Sequence, residues 1–180
     1  NMRDNYAGPM RLAEITKKHN IHYTYFGTGC IFSYDDKHTL ENNVGFTEED
    51  HPNFFGSSYS IMKGFTDTKM KEFKNVLNLR IRMPIVGQDN PRNFITKITN
   101  YEYICSIPNS MTILDILLPH VLMFMKKNIT GTYNMTNPGK ISHNEILTLY
   151  KKYVDSEFTW KNFSIEEQDK IFKELNPNLE

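Results

Sequence analysis

Cysteine is scarce in this 180-residue sequence: Cys30 and Cys105 are the only two. Two thiols cannot build a disulfide framework, and neither C-x-x-C nor H-E-x-x-H is present, so no metal site is expected. No excess of one charge exists either. Lys plus Arg number 21 and Asp plus Glu number 21. That balance argues against a protein that holds nucleic acid by neutralising phosphates, and against a polybasic membrane-surface protein. No apolar run reaches bilayer length, because the longest, 111–125, is interrupted by Asp115, Pro119 and His120. No signal-peptide-like segment opens the sequence. Also absent is G-x-G-x-x-G, the turn that cradles a dinucleotide pyrophosphate.

What is present describes a folded α/β chain. Hydrophobic residues at 39% and charged residues at 23% exclude disorder and predict a soluble, cytoplasmic protein. Helix and strand patterns alternate at βαβ spacing. The spacing predicts helices over 4–18, 58–74, 93–99, 112–127, 142–153 and 164–175, and strands over 22–26, 76–82, 103–107 and 131–136. Gly8-Pro9 predicts a kink in the first helix. Residues 33–56 form a polar segment containing Asp35-Asp36 and Glu48-Glu49-Asp50. A loop of that length is usually functional, although its acidic run is expected to be solvated. The expected architecture is the C-terminal half of a doubly wound parallel sheet, a partial Rossmann fold, with a small C-terminal substrate-binding lobe. Residues 1–107 are expected to carry the sheet and the catalytic groups, and 108–180 mostly the lobe. The chain begins at Asn1 with a helical pattern and no strand before it, so it is expected to be a fragment or a processed product.

Tyr59 and Lys63 stand four apart, on one face of a helix. A neighbouring ammonium favours the phenolate, which suits a tyrosine that gives or takes a proton. The pair alone is weak evidence, since chance supplies roughly one such spacing in a chain of this composition, and an ordinary surface pair would look the same. About 30 residues upstream, Gly27-Thr28-Gly29-Cys30 follows an aromatic strand. Ligands of open α/β sheets bind at the carboxyl ends of strands, where Thr28 would offer a hydroxyl to a carbonyl oxygen. Cys30 matters only if it shares a pocket with Tyr59; otherwise it is a small buried hydrophobe.

Longer stretches carry a resemblance. Thr28, the Tyr59-to-Lys63 spacing and Leu79-Arg80-Ile81-Arg82 resemble the extended short-chain dehydrogenase/reductases. The stretches 27–32 (Gly-Thr-Gly-Cys-Ile-Phe), 90–99 (Asn-Pro-Arg-Asn-Phe-Ile-Thr-Lys-Ile-Thr) and 107–115 (Ile-Pro-Asn-Ser-Met-Thr-Ile-Leu-Asp) are similar to the nucleotide-rhamnose synthases of plants and giant viruses. So are 133–139, 142–147 and 158–163. Those enzymes are bifunctional 3,5-epimerase/4-keto-reductases acting on UDP-4-keto-6-deoxyglucose, and the likeness runs through nearly the whole chain. It implies an NADPH-dependent oxidoreductase and epimerase (NADH being the other cofactor it allows), a nucleotide-sugar substrate, and a homodimer. It implies that Thr28, Tyr59 and Lys63 form the reductase triad, with Tyr59 and Lys63 also holding the cofactor. Cys30 and Lys97 become the acid/base pair for epimerisation. GDP-fucose synthase-like enzymes share a cysteine at the place of Cys30 but use a histidine for the role offered to Lys97. The stretch 82–85, with Pro84 and Ile85, would approach the nicotinamide, while Thr28 and Asn93 would contact the sugar nucleotide. The family's glycine-rich dinucleotide segment has no counterpart in this chain, which is therefore expected to be inactive alone. Two alternatives remain: a reductase-only dTDP-4-dehydrorhamnose reductase, and a non-catalytic binding or regulatory subunit of the same fold. His120 and His143 are expected to be structural, Cys105 to be core, and Trp160 to anchor the C-terminal lobe.

Overall fold

The computed structural model describes residues 1–164, 166, 167 and 170. A π-helical turn, Arg3–Ala7, leads into α1 (Gly8–Lys18), then β1 (Tyr23–Thr28), α2 (Ser58–Met70) and β2 (Val76–Ile81). These are followed by β3 (Pro84–Ile85), α3 (Phe94–Ile98), β4 (Tyr103–Ile104) and β5 (Thr112–Ile113). The order closes with α4 (Leu114–Lys126), β6 (Gly131–Asn134), α5 (His143–Tyr153) and β7 (Lys161–Asn162). The helix expected over 164–175 falls mostly outside the described residues. The chain divides into two compact units, one of Asn1–Arg82 with Ile116–Thr136, the other of Met83–Asp115 with the residues from Asn137 onward.

The first unit is a parallel three-stranded sheet of order β1-β2-β6, with Tyr23 opposite Val76, Thr28 opposite Ile81, and Arg80 opposite Asn134. The central strand β2 is buried on both faces, as parallel strands between helical layers are. Its side chains alternate: Leu77 and Leu79 pack with Val121 of α4 and Met135, whereas Val76 packs with Ala13 of α1, Tyr25 and Met70 of α2. Helices therefore cover both faces, and the unit is a partial, doubly wound Rossmann-type sheet. The expected kink at Gly8-Pro9 is instead a change of helix register. Pro9 has no amide hydrogen, and the Gly8 amide reaches back five residues to Arg3. α1 and α4 each end on a left-handed asparagine, Asn20 and Asn128, whose following amides close onto Thr16 and Phe124 and turn the chain into the next segment.

The long segment 33–56 is tied down rather than loose. Its acidic run is only partly solvated: Glu48 accepts the Asn134 amide at 2.8 Å, and the Asp50 carboxylate accepts both the amide and the hydroxyl of Thr47. From the sheet, Arg80 donates to the carbonyls of Thr47 and Asp50. Arg80 and Asp67 are each 1% exposed and form a two-pronged ion pair at 2.7 and 2.9 Å. A buried arginine needs such acceptors, and the backbone of this segment supplies two of them. Within it, the buried His38 stacks on Phe46 and bonds Asp35.

The second unit has two small parallel pairs, β3 with β5 and β4 with β7, around Ile98, Ile104, Met111, Ile146 and Leu147. A capping box of Ser142 and Glu145 starts α5. Trp160 packs on this core and donates to Asn144 at 2.8 Å. No described helix is long and apolar enough to cross a membrane.

Candidate active site

The site is built where β1 ends. Gly27 leaves room for a neighbouring side chain there: a Cβ would come within 2.8 Å of Asn78 Oδ1 on β2, and the buried Asn78 amide would have to shift. Thr28 is buried, and its hydroxyl accepts the Cys30 amide at 3.1 Å. That bond fixes the turn and leaves the hydroxyl proton free to be given away. The Gly29 amide continues onto the Ile81 carbonyl. Tyr59, in the first turn of α2 behind its Ser57 cap, hydrogen-bonds the Thr28 hydroxyl and has the Cys30 thiol and Arg82 guanidinium as charged-state neighbours. Arg82 Nη1 donates to Cys30 Sγ. Thr28, Cys30 and Tyr59 thus share one site, with Arg82 among them.

Burial pushes the Tyr59 phenol above its ordinary value, while the Thr28 hydrogen bond and Arg82 pull it down without cancelling the rise. The lowered phenol expected from sequence is therefore not found in the free protein, because desolvation of the phenol outweighs the favourable contacts. Lys63, four residues along α2 from Tyr59, lies 8% exposed. Its ammonium donates to Tyr25 Oη at 2.6 Å and to the Phe26 carbonyl at 3.3 Å. Burial pushes the ammonium below its ordinary value, against the opposing pull of Asp67.

Four expected residues fall in the second unit. Pro84 and Ile85 are β3. Lys97 is exposed on α3. Asn93 is buried, donating to the carbonyls of Val86 and Gln88 and accepting the Val86 amide, so its amide shapes the turn after β3. Ile85 also lines a cleft of about 570 Å³ within this unit, with Ile95, Met111, Ile113, Ile146 and Tyr150. Among the described residues no group of three or more His, Cys, Asp or Glu is placed to hold a metal. His143 bonds the Cys105 carbonyl at 2.7 Å, and Cys105 is buried.

Sequence reasoning did not single out Tyr25 or Asp67, and it gave Arg82 only to the nicotinamide approach. One signal existed for Arg82: in Leu79-Arg80-Ile81-Arg82 the two arginines alternate onto one face of the strand.

Comparisons with known proteins give the chain's family. The crystal structure of the L780 UDP-rhamnose synthase from Acanthamoeba polyphaga mimivirus superposes with a TM-score of 0.88 and 50% identity, over 99% of this chain and 67% of that one. The chain belongs to the UDP-rhamnose synthase family. A bifunctional dTDP-4-dehydrorhamnose 3,5-epimerase/dTDP-4-dehydrorhamnose reductase from Arabidopsis thaliana is 51% identical over 180 residues, 99% of this chain and 60% of the relative. A dTDP-4-dehydrorhamnose reductase from Bacillus anthracis, solved with NADP, has a TM-score of 0.72 at 20% identity over 91% of this chain and 58% of that one, and shares the Rossmann-type fold of the rhamnose synthases. No protein-family model matches. The chain spans 60% of the length of the first curated relatives it matches.

Proposed function

We propose that this chain carries the catalytic part of an epimerase-reductase that converts UDP-4-keto-6-deoxyglucose to UDP-β-L-rhamnose. The observation that carries the proposal is the meeting of the Thr28 hydroxyl, the Tyr59 phenol and the Cys30 thiol at the end of β1. A ketone oxygen there has two hydroxyl donors, and a carbon acid beside it has a thiol. Reduction alone has no need of the thiol, so the cysteine favours the bifunctional enzyme over a reductase-only one, and the intact hydroxyl pair disfavours a purely non-catalytic subunit.

The cofactor fit rests on Lys63. An ammonium has three protons; two are taken by Tyr25 and Phe26, which leaves one for a ribose hydroxyl. Lys63 and Tyr59 would hold the nicotinamide riboside end of NADPH; Pro84 and Ile85 are assigned to the cofactor by the family resemblance alone. When bound, the reduced nicotinamide supplies a hydride to C4. The chain's own residues do the rest. Cys30 removes a proton from a carbon next to the C4 ketone, with the Arg82 guanidinium against its sulfur. Lys97 of the second unit is given the partner proton transfer by the family resemblance alone. Thr28 and Tyr59 hold the C4 oxygen while negative charge builds on it, and Tyr59 then donates its proton to that oxygen. The second unit is assigned to the nucleotide sugar, with Asn93 shaping the turn beside it. Cys30 and Cys105 form no disulfide, which suits a reducing compartment, the cytoplasm. The exposed apolar side chains of α4 at Ile116 and Met123, seven residues apart on one face, are where we place contact with a second copy.

The test is Tyr59→Phe in an enzyme complemented with the family's glycine-rich segment. NADPH consumption should fall about 10²–10⁴-fold, the usual cost of a lost acid catalyst, while deuterium from D₂O still enters C3 and C5 of the ketone. Unchanged NADPH consumption overturns the assignment.

A further inference from the structure

We infer that Tyr25 is the positioning residue for Lys63, an acceptor that fixes the lysine's amine at the base of the site; the inference rests on the reading of Lys63 given above. Tyr25 sits on β1 with its ring in the apolar cluster of Ala13, Met70 and Val76 and only its hydroxyl at a polar boundary. That hydroxyl is 2.6 Å from Lys63 Nζ, and the ammonium stands 4.6 Å from the ring centroid. A lysine side chain is long and freely rotating, so a buried amine needs named acceptors to hold one position.

The alternative acceptor is engaged with other partners. Asp67 follows Lys63 by one helical turn, but its Oδ1 accepts from Asn78 and Arg80 Nε, and its Oδ2 from Arg80 Nη2. Asp67 therefore acts on Lys63 through its field, and the direct bond falls to Tyr25. The groups facing Tyr25 are Lys63, Asp67 and Tyr59 from α2, and Tyr23 on its own strand. Burial, reinforced by Tyr23, Tyr59 and Asp67, pushes the Tyr25 phenol up, so it stays neutral across the working range. A neutral acceptor holds the amine without cancelling its charge, and one ammonium proton stays free.

The experiment uses the 180-residue chain itself, with lysine side chains labelled with ¹³C and Lys63 assigned by the resonance missing from Lys63→Met. Loss of a hydrogen bond to a buried charge in Tyr25→Phe should lower the Lys63 titration midpoint by about one pH unit. Tyr23→Phe, the same hydroxyl removed from the neighbouring ring, should leave it in place. An unchanged midpoint in Tyr25→Phe, or an equal drop in Tyr23→Phe, overturns the inference. Unfolding of Tyr25→Phe would move Lys63 the other way, towards the free-lysine value. In that event 3-fluorotyrosine labelling reads the pair from its other side. The Tyr25 fluorine resonance should shift in Lys63→Met, and an unmoved resonance overturns the inference. No cofactor or substrate enters these measurements, so their failure is separate from failure of the reductase reading, which Tyr59→Phe decides.

Discussion

Deleting the Asp67 carboxylate should be among the most damaging single changes in the first unit. Asp67 accepts from Arg80 at 2.7 and 2.9 Å and from Asn78 at 2.8 Å, all three buried. In Asp67→Ala the guanidinium keeps the carbonyls of Thr47 and Asp50 but loses its counter-charge in a site closed to water. Breaking a buried pair from one side costs about 3–5 kcal/mol, against a typical domain stability of about 5–15 kcal/mol. At about 4–8 °C per kcal/mol for a unit of this size, the melting temperature should fall by roughly 12–40 °C. The double variant Asp67→Leu/Arg80→Met should recover much of that loss, because apolar replacement of both partners leaves no stranded charge. Because Arg80 also holds segment 33–56, trypsin should cut at Lys37 faster in Asp67→Ala. Urea unfolding followed by circular dichroism decides the matter. A loss under about 1 kcal/mol in Asp67→Ala, or a double variant no better than the sum of the singles, refutes the reasoning.

Two further outcomes follow from the same structure. The Thr47 amide and hydroxyl hold the Asp50 carboxyl down at about 2, below the ordinary value near 3.8. The stability Asp50 contributes is thus present above pH 4 and lost as pH falls from about 4 to 2; Asp50→Asn should flatten that part of an acid unfolding curve, and an unaltered curve would contradict it. The chain alone should bind NADPH weakly, since it has no G-x-G-x-x-G turn to hold the pyrophosphate, and sub-micromolar binding in a calorimetric titration would contradict that.

The parallel sheet and its helices were legible because βαβ spacing repeats over long, strongly patterned segments: β1, β2 and β6 stand where alternation and turn residues put them. Two-residue strands such as β3, β5 and β7 have too little length for any period to register, so 112–113, which pair with β3, looked like the start of a helix. The polar residues of β2 were the harder case. Asn78 and Arg80 suggest a solvent-facing edge, and only the distant Asp67 makes their burial tolerable. The same holds for the acidic run at 48–50, whose ties to Asn134, Thr47 and Arg80 are tertiary. At the candidate site, Tyr59 and Lys63 stood out by their spacing, Thr28 by its place after an aromatic strand, and Cys30 only through the family resemblance. The direction of the Tyr59 shift was not, because it depends on how far the fold buries the ring. Tyr25 carried no signal at all, being one aromatic residue among several on a strand.

The central claim is that one site holds separate groups for proton exchange at carbon and for reduction at C4, and Cys30→Ser in the complemented enzyme tests it most directly. A serine hydroxyl is far too weak an acid to replace a thiol in proton exchange, yet the change removes little volume and leaves Thr28, Tyr59 and Lys63 in place. The variant should lose conversion of UDP-4-keto-6-deoxyglucose to UDP-rhamnose while still oxidising NADPH when given the already epimerised 4-keto-rhamnose nucleotide. Wild-type production of UDP-rhamnose from the unepimerised ketone by Cys30→Ser would contradict the account.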